Sequence, residues 1–132
     1  MNLFLIALGG ALGSVARYIS LELVLKILQS SQNSISRFPW GTLFVNVLGS
    51  FLAGILYYFI IRNFNSFDPK VKNFLLIGFL GGFTTFSSFS LDFFRLASAA
   101  QYSQAFAYAF ISCIAAISAL FFGFYLTKII YS

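Results

Sequence analysis

The segment GGFTTFSSFS, residues 81–90, lies in an apolar stretch of the chain but carries two glycines and five hydroxyl side chains. Glycine lowers helix propensity, and threonine is β-branched with a hydroxyl that competes for backbone hydrogen bonds. A helix that runs through this segment is therefore predicted to break near residues 81–87. Freed carbonyls at such a break can bind a cation, and freed amides can face an anion.

The composition places this break inside a membrane protein. Of 132 residues, 60% are hydrophobic, 8% are charged and only three are acidic, whereas a soluble chain of this size would expose more charge. Runs of about 20 apolar residues cross a hydrocarbon core of ~30 Å as helices. We therefore predict an all-α membrane protein, a single domain over residues 1–132 with four transmembrane helices and a break in the third. The four spans are predicted at roughly 3–28, 40–61, 71–98 and 104–130.

The titratable residues argue against several other functions. The chain has no histidine and one cysteine, so the usual general base is missing and an intrachain disulfide cannot form. No nucleophile, base and orienting group can be assembled, and an enzyme is not expected. Cys113 is expected to be a small buried apolar side chain. The net charge of +5 comes from scattered basic residues, which predicts anchors at the membrane interface and no nucleic-acid partner.

Basic residues near the span ends give only a weak preference for one orientation. With four crossings, both termini lie on one side of the membrane together with the loop at 62–70. The basic residues on that side are Arg62, Lys70, Lys72 and Lys128, and those on the other are Lys26, Arg37 and Arg95. Because an excess of basic residues normally keeps a loop in the cytoplasm, this near-balance allows insertion both ways and pairing with an inverted copy.

The second span carries a stripe of small and polar residues. Its members are Asn46, Gly49, Ser50, Ala53 and Gly54, whose spacing places them on one helical face. One interpretation is a tight helix–helix contact, because small residues let two backbones approach. Asn46 is harder to explain by packing, since its amide is the only one near mid-membrane.

The first and fourth spans also contain polar side chains. Arg17 lies one turn after Gly13, and it could pair with Glu22, snorkel to the interface, or offer a positive charge to anions in a water-filled vestibule. Tyr108 and Ser112 are one turn apart. Their hydroxyls could line a polar path, although a serine bonded to its own helix backbone is an equally good explanation of Ser112.

Phe86 and Phe89 are three residues apart and share a face of the helix that resumes after the break. They could be ordinary packing residues in a chain with nineteen phenylalanines. Alternatively, their positively polarised ring edges could contact an anion.

A proton-coupled transporter or a small multidrug-type exporter is the alternative function. Either would normally need a titratable residue at mid-membrane. The three acidic residues, Glu22, Asp68 and Asp92, are all predicted near span ends, which argues against both exporters.

Three motifs in the chain are distinctive: GxxxRY at residues 13–18, GTLFVNVLGSF at 41–51 and GFLGGFTTFSSFSLD at 78–92. They closely resemble the bacterial fluoride channel family, Fluc, also called CrcB. The resemblance covers all four spans in order, and the GGxTTFSxFS pattern is highly specific. Phe83 departs from the pattern, because a smaller aliphatic residue is expected there.

The resemblance implies a passive, fluoride-selective channel that releases fluoride from the cytoplasm across the bacterial inner membrane. It also implies an antiparallel, dual-topology homodimer with two pores and a structural sodium ion at its centre. The implied sodium ligands are the backbone carbonyls of Gly81 and Thr84 from both subunits.

The same resemblance implies which residues form the fluoride path. They are Asn46, Phe86, Phe89, Tyr108, Ser112 and Arg17. In that family two phenylalanine ring edges and an amide contact the ion, hydroxyls follow along the path, and an arginine lies in the vestibule. Such donors suit fluoride, because a pore must replace the water of a small, strongly hydrated anion.

Overall fold

The computed structural model describes residues 2–29, 38–63 and 66–131. Its helices are α1 (Asn2–Gln29), α2 (Trp40–Arg62), α3 (Pro69–Lys72), α4 (Gly81–Phe83), α5 (Phe86–Ser98) and α6 (Tyr102–Tyr131), with a π-helix (Asn73–Leu80) between α3 and α4. Four stretches are long and apolar enough to cross a membrane: Asn2–Leu28, Trp40–Arg62, Pro69–Ser98 and Tyr102–Tyr131. The prediction of an all-helical chain with four candidate spans is confirmed. Most of the first loop, including Arg37, lies outside the described residues.

The third span, Pro69–Ser98, begins with a capped turn. Asp68 Oδ1 accepts a hydrogen bond from the Lys70 amide at 2.8 Å, and Pro69 lies in the first turn, where its missing N–H is no disadvantage. The span then widens into the π-helix. Such helices are rare and occur frequently at functional sites.

The third span is interrupted between α4 and α5. Thr84 (φ −79°, ψ 156°) and Thr85 (φ −151°, ψ 118°) have extended backbones. The Thr84 amide still donates to the Leu80 carbonyl at 2.9 Å, which closes the first half of the span. Thr85 Oγ1 accepts a hydrogen bond from the Ser88 amide at 3.1 Å and so caps α5. The interruption falls inside the predicted segment 81–87.

The first half of the third span packs against α1 through glycines. A Cβ atom added to Gly78 would lie 2.8 Å from the Ile6 carbonyl oxygen and 3.0 Å from the Gly9 Cα. Small residues permit such an approach of two helix backbones inside a membrane. The π-helix and α1 are therefore in direct backbone contact.

The small-residue stripe of α2 makes tight helix contacts, as one interpretation of the sequence predicted. A Cβ atom on Gly54 would meet the Leu120 carbonyl oxygen of α6, and one on Gly49 would lie 3.2 Å from the Phe83 ring. α2 thus lies against α6 and against the end of α4. This packing brings Asn46 next to the interruption.

A turn at residues 99–101 joins α5 to α6 as an antiparallel hairpin. Ala100 has a positive φ of 58°, and the Gln101 amide donates to the Leu96 carbonyl at 2.9 Å, so the end of α5 is closed by backbone bonds. Leu96, Ala105 and Tyr108 form a buried cluster beside this turn. Many other large apolar side chains are exposed, as expected where outer helix faces contact lipid or another subunit.

Candidate functional site

A cavity of about 250 Å³ lies beside the interruption of the third span. Side chains of α2, of the interruption itself, of α5 and of α6 surround it. Its lining residues are Asn46, Ser50, Thr84, Thr85, Phe86, Phe89, Ser112, Cys113 and Ala116. The structure therefore brings together four of the six residues assigned to the fluoride path, which lie far apart in the sequence.

Asn46 is bonded to the backbone of the interruption in both directions. Its Nδ2 donates to the Thr85 carbonyl at 3.0 Å, and the Thr85 amide donates to Asn46 Oδ1 at 2.7 Å. A primary amide carries two N–H groups, so one of them remains for the cavity. The amide singled out in the sequence thus supports the break and also lines the candidate site.

Phe86 and Phe89 both line the cavity but differ in their surroundings. Their ring centroids are 5.3 Å apart with an interplanar angle of 34°. Phe89 is half-buried and lies 5.2 Å from the Tyr108 ring, whereas Phe86 is 78% exposed. Packing within the subunit therefore accounts in part for an aromatic ring at position 89, but hardly at all for one at position 86.

Tyr108 and Ser112 present two buried hydroxyls. Neither the Tyr108 hydroxyl nor Ser112 Oγ has a hydrogen-bond partner among the described residues. Ser112 is therefore not bonded to its own helix, unlike Thr127 in the same helix, whose Oγ1 donates to the Gly123 carbonyl at 2.7 Å. A buried hydroxyl without a partner is costly, so each of the two is expected to bond a ligand or a water molecule. The Tyr108 hydroxyl also lies near the side chains of Thr42 and Asp92.

Arg17 reaches the interruption from α1. The side chain is half-buried, and its Nη1 donates to the Thr84 carbonyl at 3.4 Å. No ion pair between Arg17 and Glu22 is present in the ranges that the structure describes. The positive charge therefore lies next to the break in the third span, at a long hydrogen-bond distance.

The two carbonyls implied as sodium ligands have different surroundings. The Thr85 amide, which would bond the Gly81 carbonyl in an unbroken helix, donates to Asn46 instead, so the Gly81 oxygen is freed. The Thr84 oxygen receives the weak bond from Arg17. Carbonyl oxygens suit a hard cation, and the Gly81 oxygen is available for one. The Thr84 oxygen keeps a second lone pair, but the positive charge of Arg17 beside it disfavours a cation. No cluster of three or more acidic, cysteine or histidine side chains occurs in the described ranges.

Sequence reasoning missed Thr42 and Asp92, which form a second polar contact. Thr42 Oγ1 donates to Asp92 Oδ2 at 2.6 Å, and Arg95 Nη1 lies 3.7 Å from Asp92 Oδ1. The Asp92 side chain is only 16% exposed, so placing it with the residues near span ends was misleading. Helical spacing could have indicated this contact. Asp92 follows Phe89 by three positions and Thr42 precedes Asn46 by four, so each shares a helical face with a candidate site residue.

A second cavity of about 310 Å³ lies beside this contact, lined by residues that include Phe38, Asp92 and Arg95. The Tyr108 ring lies 5.5 Å from Phe38, with the two planes at 89°. Because Tyr108 also contacts Phe89, its ring touches a lining residue of each cavity.

The expectation for Cys113 was wrong. Its side chain is exposed in this subunit and lines the first cavity. Local sequence gave no indication of this, because cysteine on an apolar helix is normally buried.

Comparison with known proteins identifies a family and several relatives. Residues 4–124 match the family described as CrcB-like protein, Camphor Resistance (CrcB). The Fluoride-specific ion channel FluC of Hahella chejuensis is 40% identical over 129 residues, which cover 98% of this chain and 96% of that protein. The FluC of Rhizobium meliloti is 43% identical over 127 residues, which cover 96% of each chain. The FluC of Leptospira interrogans is 41% identical over 127 residues, covering 96% of this chain and 94% of that protein. The resemblance inferred from the motifs is confirmed, and the chain belongs to the CrcB family.

Proposed function

We propose that this protein is a fluoride-selective channel, not an enzyme, through which fluoride leaves the bacterial cytoplasm across the inner membrane down its gradient. Membership of the CrcB family, relatives named Fluoride-specific ion channel FluC and four helices able to cross a membrane support it. The observation that carries the proposal is the cavity beside the interruption, where the Asn46 amide, the Ser112 hydroxyl and two phenylalanine rings meet.

These groups suit a small anion that must leave its water shell. Hydrogen-bond donors from Asn46, Ser112 and Tyr108 can replace water, and the edges of the Phe86 and Phe89 rings carry partial positive charge. The cavity has no acidic residue in its lining. Arg17, at the other side of the interruption, adds positive charge that raises the local concentration of anions.

The working unit that we propose is an antiparallel, dual-topology homodimer with two pores, each copy contributing one membrane domain over residues 1–132. The Phe86 side chain is 78% exposed in one subunit, and Gly81 is exposed as well. A ring that contacts an ion has to be screened from lipid, so the site needs a second chain to cover it. The weak imbalance of basic residues across the predicted loops is compatible with insertion in both orientations.

We further propose that a structural sodium ion lies at the centre of this dimer, held by the Gly81 and Thr84 carbonyls of both copies. The freed Gly81 oxygen supports this proposal, because its usual helical donor is bonded to Asn46. When bound, the ion supplies positive charge that holds the two interrupted spans together. The Arg17 guanidinium, 3.4 Å from the Thr84 oxygen, places a positive charge beside this arrangement that opposes a cation there.

Ion efflux from liposomes tests the channel proposal. Liposomes containing only this protein are loaded with either fluoride or chloride, and release is followed with an ion-selective electrode. We expect rapid fluoride release and chloride release no faster than from protein-free liposomes. Equal release of the two ions, or none of fluoride, would contradict a fluoride-selective channel.

A proton-coupled exporter is the second candidate, because Asp92 is a largely buried carboxyl within the third span. The hydrogen bond from Thr42 at 2.6 Å and the contact with Arg95 hold this side chain in place between α2 and α5. A pH gradient of either sign imposed on fluoride-loaded liposomes separates the two functions. A channel releases fluoride down its own gradient in both cases, whereas an exporter changes direction or rate with the sign of the pH gradient.

A further inference from the structure

The orientation of the Asn46 carboxamide is determined by its contact with Thr85. The Thr85 N–H can only donate, so the atom facing it at 2.7 Å must be Oδ1. The Thr85 carbonyl can only accept, so the atom facing it at 3.0 Å must be Nδ2. Rotating the amide by half a turn would place Nδ2 against the Thr85 N–H, donor against donor, and Oδ1 against the Thr85 carbonyl, acceptor against acceptor. Both hydrogen bonds would be lost and replaced by repulsion.

This fixed orientation determines which group of the Asn46 side chain faces the cavity. With Oδ1 held by the Thr85 amide and one N–H held by the Thr85 carbonyl, the group left over on Nδ2 is an N–H. An amide that could turn would at times present its oxygen, which repels an anion and attracts a cation. The contact with Thr85 therefore selects for anions at Asn46.

The local structure of Thr85 makes this contact possible. Its backbone is extended (φ −151°, ψ 118°), a conformation that β-branched residues favour, and both of its backbone polar groups bond to Asn46. Its Oγ1 also accepts from the Ser88 amide at 3.1 Å and donates to Ser88 Oγ at 3.1 Å. Thr85 itself is buried, so one residue joins Asn46 to the first turn of α5.

We propose that Thr85 is the positioning residue of the site: its backbone N–H and C=O lock the Asn46 carboxamide so that only an N–H faces the cavity. The inference rests on the proposed function, because the locked donor matters for transport only if an anion passes there. It deepens that function by assigning part of the selectivity to a backbone contact.

An amide-to-ester substitution tests the lock directly. The α-hydroxy analogue of threonine, inserted at position 85 by nonsense suppression, keeps the side chain and replaces the backbone N–H by oxygen. It also makes the Thr84 carbonyl a weaker acceptor for Arg17, a change that the NMR measurement below avoids. The same analogue at Thr127, a buried threonine inside α6, is the matched control because it removes a backbone N–H away from the cavity. Both proteins are purified as assembled channels and reconstituted in liposomes.

We expect the ester at position 85 to lower the ratio of fluoride to chloride permeability by about fivefold, the effect of one lost hydrogen bond. The ester at position 127 should leave that ratio unchanged even if it lowers thermal stability. Equal ratios in the two ester variants and in the unmodified protein would overturn the inference.

A second measurement on the unmodified protein covers the case in which the ester at position 85 does not assemble. The two Nδ2 protons of Asn46 are observed by NMR after 15N-asparagine labelling, with the signal assigned by its loss in Asn46→Asp. Sodium fluoride is titrated against sodium chloride. We expect fluoride to shift one proton and leave the other, which is bonded to Thr85; equal shifts of both, or none, would overturn the lock.

The two proposals fail in different ways. If the unmodified protein releases no fluoride, the channel function is wrong, whatever the amide does. If it releases fluoride selectively but both Asn46 protons respond alike, the function stands and the role of Thr85 is wrong.

Discussion

Replacing Phe86 or Phe89 with isoleucine separates ion contact from packing. Isoleucine keeps comparable apolar bulk but has no polarised ring edge. If the rings contact fluoride, both Phe86→Ile and Phe89→Ile should lose fluoride flux although the dimer still assembles. Phe93→Ile is the control, because Phe93 lies in the same helix but does not line the cavity beside the interruption.

The structure indicates how much stability each substitution removes. An aromatic pair contributes about 0.5–1.5 kcal/mol beyond the burial of its area. Phe86 has one aromatic neighbour, Phe89, and is 78% exposed, so its replacement should cost about 1 kcal/mol or less. Phe89 also contacts Tyr108, so Phe89→Ile should lower the free energy of unfolding by about 1–3 kcal/mol. Phe93 is half-buried, packs against the cluster of Leu96, Ala105 and Tyr108 and has an edge-on neighbour, Phe106, at 5.7 Å, so its replacement should lower stability more than that of Phe86.

Flux and stability therefore rank the three variants differently. On the ion-contact reading, flux falls by roughly tenfold or more, about 1.4 kcal/mol of barrier, in Phe86→Ile and Phe89→Ile and stays near normal in Phe93→Ile. On the packing reading, flux per assembled dimer stays near normal in all three variants, and stability falls more in Phe89→Ile and Phe93→Ile than in Phe86→Ile. Fluoride efflux is measured on dimers isolated by size exclusion and normalised to reconstituted protein, and thermal unfolding gives stability. Equal flux in all three variants, or flux that follows stability, would refute the ion-contact reasoning.

Three further changes test the amide, the topology and the packing. Asn46→Asp should lower fluoride flux in liposomes by roughly tenfold or more, because it removes a donor and adds negative charge; near-normal flux in an assembled variant would take Asn46 out of the pore. Two lysines added to the loop at 62–70 should bias orientation and deplete inverted pairs, as read by accessibility labelling; a single orientation in the unmodified protein would exclude dual topology. Gly54→Ala should lower the unfolding temperature, because its Cβ would meet the Leu120 carbonyl oxygen, whereas Gly10→Ala, whose Cβ would lie 4.0 Å from the Gly78 carbonyl oxygen, should not.

Local chemistry explains why the interruption could be predicted and the π-helix could not. The glycines and threonines of residues 81–87 weaken a helix wherever they occur, and the break at Thr84 and Thr85 follows from them. The segment Asn73–Leu80, NFLLIGFL, has no such signal. Its wide turns coincide with the backbone contact between Gly78 and Gly9, a tertiary feature that depends on how α1 lies.

The site was predictable where a polar group is costly in lipid. Asn46 and Arg17 stood out because an amide or a guanidinium inside a span needs a partner. Their partners could not be read from the sequence, since both are backbone carbonyls of the interruption. The burial of Asp92 was not predicted for a related reason. Its donor, Thr42, comes from another helix, and the position of a residue within a span does not by itself indicate burial.

For the proposed fluoride channel these contacts matter, because a broken helix frees acceptors as well as donors. Carbonyl oxygens left at the break would repel fluoride if they faced the cavity. The Thr84 oxygen is covered by Arg17, and the Thr85 oxygen is covered by Asn46. Each side chain comes from a different helix, so the acceptors are covered only when α1, α2 and the third span are assembled. An amide N–H on Asn46 remains available beside them, together with the hydroxyls of Ser112 and Tyr108, which can donate or accept. The Gly81 oxygen, whose helical donor is bonded to Asn46, is an acceptor that is left, so the balance of donors and acceptors at the break depends on tertiary packing.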